Sequence, residues 1–133
     1  IKAIGNFIIG LPFEKSREDV MNNINRLMSF SVDYAQFNVF QPVPGSEIYE
    51  SGIKLGVIDS NKWDSFVKSP NVAFKPPLWT QYLSKEELTD LFYFAYRRFY
   101  IRPMHILRNL LMLTTIYEFR RVLKGGLRIL LKN

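Results

Sequence analysis

The sequence predicts an α/β fold on three observations: two short apolar runs, an amphipathic stretch between them, and Gly/Pro stops after each run. The first run, AIGNFIIG over 3–10, closes at Gly10-Leu11-Pro12, and its length favours a strand over a helix. A helix over 16–30 follows, with Ser16 as N-cap and Asp19 three residues on. Val20, Ile24, Leu27 and Met28 recur at helical spacing and form a face for packing on a sheet, leaving Asn22, Asn23 and Arg26 to solvent. The second run, DYAQFNVFQ over 33–41, stops at Pro42-Val43-Pro44-Gly45. Strand, helix and strand joined by short loops make a βαβ unit, so the strands are parallel. Parallel strands are normally covered on both faces within a larger sheet or barrel. The expectation is therefore a piece of a longer protein whose partner strands lie upstream, which also suits a chain that opens at Ile1 inside an apolar run.

Beyond the second strand the pattern changes. Residues 42–83 hold five of the seven prolines and both tryptophans. A short helix is expected over 46–55 and a second near 61–67, within a Pro- and aromatic-rich connection over 59–83. Ser84 and Glu87 form a capping box that opens a helix, with Leu88, Leu91, Phe92, Ala95, Tyr96 and Phe99 on one stripe. Pro103 ends or kinks it near Arg102. A further helix is expected from Ile106 to about Lys124, before Gly125-Gly126. The expected organisation is thus an α/β part over 1–58, the connection over 59–83, and a helical extension over 84–133.

Charge divides at the same place. Residues 1–96 carry nine Lys/Arg and eleven Asp/Glu, whereas residues 97–133 carry nine Lys/Arg against Glu118 alone. A basic tail beside apolar residues suits an anionic surface: a membrane, or another part of the parent chain, with nucleic acid the least favoured partner. The chain has no cysteine and one histidine, His105, read as a polar surface or capping residue. Disulfides, zinc-thiolate sites, cysteine nucleophiles and thiolate-held iron–sulfur clusters are excluded for its own residues. The composition fits a reducing, cytoplasmic setting, with peripheral membrane contact through the tail as an option.

Alternation along the second strand sends Ala35, Phe37 and Val39 to one face, and Gln36, Asn38 and Phe40 to the other. The amides then point into the interior of a sheet or barrel, where they need a ligand, water or neighbouring backbone. Asn6, Ile8 and Gly10 form the comparable set on the first strand. Ligands in α/β folds bind at the carboxyl ends of parallel strands, near Gly10-Leu11-Pro12 and Gln41-Pro42-Val43-Pro44.

The segments GNFIIGLPFE and YAQFNVFQPVPGSEIYE resemble the fifth and sixth strands, with their following turns, of radical S-adenosylmethionine enzymes. AYRRFYIRP resembles a helix-ending motif of the cobalamin-associated group, which includes relatives of the anaerobic magnesium-protoporphyrin monomethyl ester cyclase. The resemblance implies the last βα units of a partial (β/α) TIM-like barrel followed by a helical C-terminal extension. It implies S-adenosylmethionine and a [4Fe–4S] cluster as cofactors, with cobalamin an option in the parent. The cluster's C-x3-C-x2-C ligands would lie outside this chain, so the parent would be the enzyme and this segment inactive alone. The implied reaction makes a 5′-deoxyadenosyl radical for cyclisation or methylation of a tetrapyrrole, lipid or other small molecule. The alternative is a non-catalytic docking module acting through the basic helices.

On residues, the resemblance implies that the strand around Ile8 and the backbone near Gly10 line the adenine, with Gly10 leaving room for it. Asn38 and Gln36 would face the ribose or amino-acid end, and the Gln41–Pro44 turn, with Pro42 and Pro44, would border the adenine from the other side. Asn6 stands in place of a glycine of the adenine motif, Phe13 where the family often has glycine, and Lys15 where it has threonine.

Overall fold

The computed structural model describes residues 1–103 and 106–107. Its order is β1 (Ile4–Ile9), α1 (Arg17–Leu27), β2 (Tyr34–Val39), α2 (Glu47–Lys54), α3 (Asn61–Lys68) and α4 (Lys85–Tyr100). The strands pair in parallel, with Ile4 opposite Tyr34 and Ile9 opposite Val39. The chain is therefore a mixed α/β unit built on a two-stranded parallel sheet. No barrel forms among the described residues, which supply two strands where closure needs many more.

Local chemistry explains the helix starts. Ser16 Oγ accepts from Asp19 N–H at 3.1 Å, while the Asp19 carboxylate accepts from Ser16 N–H at 2.9 Å. Ser84 and Glu87 make the same reciprocal pair at 3.1 and 2.9 Å. Each pair satisfies two backbone groups that a helix start would otherwise leave open. Ser46 caps α2 through one bond from Tyr49 N–H, and α3 begins without a side-chain cap. α4 ends at Tyr100, with Ile101 as its C-cap, two residues before Pro103. His105 and the basic stretch from Arg108 onward lie outside the described residues, and the helix expected to run to about Lys124 is described only at 106–107.

One face of the sheet carries the core. Ile9, Ala35 and Phe37 pack with Val20 and Ile24 of α1 and with Leu88, Leu91, Ala95 and Phe99 of α4. Burying each of the Val, Ile, Leu and Phe side chains of this layer stabilises by roughly 1.5–3 kcal/mol relative to leaving it exposed. The buried stripe of α4 is narrower than the sequence suggests. Phe92 and Tyr96 are half-buried and lie, with Tyr100, along a second line that meets the edge of β2.

The opposite face is exposed: Ile4, Asn6, Ile8, Gln36 and Asn38 all stand there. Gln36 and Asn38 were expected in an interior. They are exposed because both α1 and α4 pack on the other side of a sheet with only two strands. A second cluster joins Tyr49, Ile58 and Trp79, with Phe40 and Trp63 packed against it. Gly52 lets this cluster pack closely against α2. A Cβ on it would run into Ile58 and come within 3.0 Å of Trp79 Cζ3.

Candidate functional site

An open cleft of about 580 Å³ lies at the carboxyl end of β2, lined by Ile8, Asn38, Val39, Phe40, Gln41, Thr89, Phe92 and Tyr93. Ile8 and Asn38 are register partners across the strands, so their side chains emerge together on the exposed face. Gln41 lies two residues beyond the strand end. The other wall comes from one side of α4, where Thr89, Phe92 and Tyr93 are three and four residues apart or adjacent on the helix. The lining is aromatic and amide-bearing. Such a surface stacks flat rings and hydrogen-bonds their polar edges.

The structure thus gathers three of the expected residues, Ile8, Asn38 and Gln41, into one cleft. Asn6 and Gln36 form the neighbouring register pair on the same face, two residues nearer the start of the strands, and do not line the cleft. Pro42 is fully buried, while Pro44 is exposed in the turn. Gly10 has φ +75°, and a Cβ there would lie 2.7 Å from Leu88 Cδ2. Its need for glycine therefore comes from the left-handed turn and the seat of α4. On the side that a Cβ would take, the neighbour is the Leu88 side chain of α4.

Sequence reasoning missed the α4 wall and Glu14. Glu14 is buried in the turn after β1. Its carboxylate accepts from Leu11 N–H at 2.8 Å and from Asn23 Nδ2 at 2.8 Å. It ties the Gly10-Leu11-Pro12 turn to α1, and Asn23 is thereby drawn out of the solvent-facing set. A carboxylate held by two donors is a positioning group for the backbone at the strand end.

The AYRRFYIRP segment is accounted for by packing. Tyr100 and Tyr96 bond to the β2 edge, and Phe99 is buried. The Arg102 guanidinium sits 4.5 Å from the Phe99 ring centroid and donates to Met28 O at 3.0 Å and Phe99 O at 3.1 Å. These residues fasten α4 to β2 and to the end of α1.

Among the described residues no group of three or more His, Cys, Asp or Glu side chains is placed to hold a metal ion, and no helix is long and apolar enough to cross a membrane. No family model and no solved structure matches the chain. It is 28% identical over 134 residues to an uncharacterized methyltransferase from Pyrococcus horikoshii. That alignment takes in 97% of this chain and 27% of the relative's length, so the chain spans about a quarter of it.

Proposed function

We propose that this chain is part of an S-adenosylmethionine-dependent methyltransferase of the radical type, and that the cleft at the end of β2 forms part of its cofactor site. The observation that carries the reading is the meeting of Ile8, Asn38 and Gln41 with Phe92 and Tyr93 at the carboxyl ends of parallel strands. The relative's name supports a methyltransferase, and the resemblance of the GNFIIGLPFE and QPVPGSEIYE segments supports the radical type. In this reading the two strands are the last of a partial barrel, and the exposed face with Asn6, Gln36 and Asn38 looks into it. The aromatic side chains take the flat base, and the amides of Asn38 and Gln41 take polar groups of the cofactor.

The residues of this chain do not fit the implied cluster. It contains no cysteine, so no step is assigned here to an iron–sulfur centre. When bound elsewhere in the parent, such a cluster would supply the electron that cleaves S-adenosylmethionine. Cobalamin draws no support from AYRRFYIRP, whose aromatic residues and Arg102 are engaged in packing. The rest of the parent chain and a small-molecule substrate remain the proposed partners. The test is Asn38→Leu in the full-length protein. It should weaken S-adenosylmethionine binding about tenfold or more, as expected for a lost polar anchor. Unchanged affinity by calorimetry would refute the assignment.

A further inference from the structure

The line of rings on α4 and the outer edge of β2 share a pitch. Even-numbered residues of β2 face β1: Tyr34 N–H donates to Ala3 O at 3.1 Å, and Phe40 N–H to Ile9 O at 2.8 Å. By the alternation of a parallel ladder, the N–H and C=O of Ala35, Phe37 and Val39 point to the opposite edge. Tyr100 closes the first of these pairs, accepting from Ala35 N–H at 3.1 Å and donating to Ala35 O at 2.9 Å. Tyr96 closes the second more loosely, with 3.3 Å to Phe37 N and 3.5 Å to Phe37 O. Four helical residues advance about 6.0 Å and two strand residues about 6.6 Å, so the two rows stay in step. The next helical position, four residues before Tyr96, is Phe92, and the next edge pair belongs to Val39. Both line the cleft, and the Phe92 ring lies 5.0 Å from that of Tyr96. Phe92 has no hydroxyl. No other described residue bonds the Val39 pair at that edge, so among the described residues the third rung is open to the cleft.

We propose that Phe92 is a specificity-determining residue. It leaves the Val39 N–H and C=O open as a donor–acceptor pair for the edge of a planar nitrogen heterocycle stacked beside the Phe92 and Tyr93 rings. A single pair suits such a ring better than an added strand, because Tyr96 already occupies the next rung. The inference rests on the reading of the cleft as a ligand site, and adds to it the residue that selects the ligand's polar edge.

Phe92→Tyr would complete the ladder from within. In the full-length protein, with S-adenosylhomocysteine as probe, this variant should bind about tenfold or more weakly, while its Val39 amide becomes slow to exchange without ligand. Phe92→Leu, which removes the ring and leaves the pair open, should retain more affinity than Phe92→Tyr. Exchange at Ala35 and Phe37 serves as the check that α4 stays seated. Wild-type binding in Phe92→Tyr, or stronger loss in Phe92→Leu than in Phe92→Tyr, overturns the proposal. If Asn38→Leu loses binding while Phe92→Tyr does not, the cleft reading stands and the third rung alone is wrong. Failure of the wild-type protein to bind the probe removes both.

Discussion

The Tyr100 phenol stands where a neighbouring strand would otherwise be, exchanging two hydrogen bonds with one residue, Ala35, across 65 positions of sequence. Removing a hydroxyl that bonds both ways exposes two backbone groups at once. Tyr100→Phe should destabilise the β2 edge by about 1–3 kcal/mol, on the order of two net hydrogen bonds. Tyr96→Phe should cost less, since its distances are longer. Amide exchange resolved by residue checks this: Ala35 should speed up in the first variant and Phe37 in the second. Uniform acceleration across both strands would instead mean that the hydroxyls act through global packing.

The same phenol gives a pH dependence. Burial raises the Tyr100 ionisation above its ordinary value, the hydrogen bond with Ala35 opposes that rise, and the Tyr96 and Tyr34 phenols add to it. A raised folded value means the protonated form is favoured by the fold. The contribution is complete below the unfolded phenol's value of about 10 and is lost as pH rises through the higher folded value. Phenolate absorbance of the wild type minus that of Tyr100→Phe should titrate above the ordinary tyrosine range. Titration within that range would remove the argument.

At the other end of α4 the sign reverses. The bond from Ser84 N–H, and then its hydroxyl, lower the Glu87 carboxyl below its usual value, with a smaller contribution from Arg17. This capping is present above the unfolded carboxylate's value of about 4.3 and weakens as pH falls through the lower folded value. Ser84→Ala should cost about 1 kcal/mol in helix stability at neutral pH. Exchange of the first-turn amides of α4 should show the effect, and the difference between variant and wild type should shrink in acid.

Gly52 offers a test in which two effects oppose. Alanine inside a helix ordinarily stabilises by about 1 kcal/mol relative to glycine. Here its Cβ would press on Ile58 and Trp79, and overpacking of this kind costs roughly 1–3 kcal/mol. Gly52→Ala should therefore lower stability and shift Trp79 emission. A stabilised variant would show that the Tyr49–Ile58–Trp79 cluster yields easily.

The strands, α1 and the capped start of α4 were legible in the sequence because period and capping chemistry are local. The split of Ala35, Phe37 and Val39 from Gln36 and Asn38 followed from alternation alone. What could not be read was the placement of α4. Phe92, Tyr96 and Phe99 look alike as aromatic residues at helical spacing, yet Phe99 is buried in the core while Tyr96 spends its hydroxyl on backbone 59 residues away. Only the four-residue repeat Phe92–Tyr96–Tyr100 hinted at a second line on the helix. The Gly10 environment was likewise hidden, since its neighbour Leu88 lies far along the chain. Glu14 could have been singled out as an acidic residue directly after a Gly-Leu-Pro turn, but its burial depends on Asn23 and on the path of that turn.

Because α4 sits against β2 at Ala35 and Phe37, the sheet has a direction of growth. A strand arriving at that side meets phenols already bonded to the backbone, and it would have to displace a 16-residue helix with four buried side chains. On β1, by the same alternation, Ile4, Asn6 and Ile8 turn their backbone groups outward, away from β2. Any strand that joins this sheet while α4 stays seated would therefore join at β1.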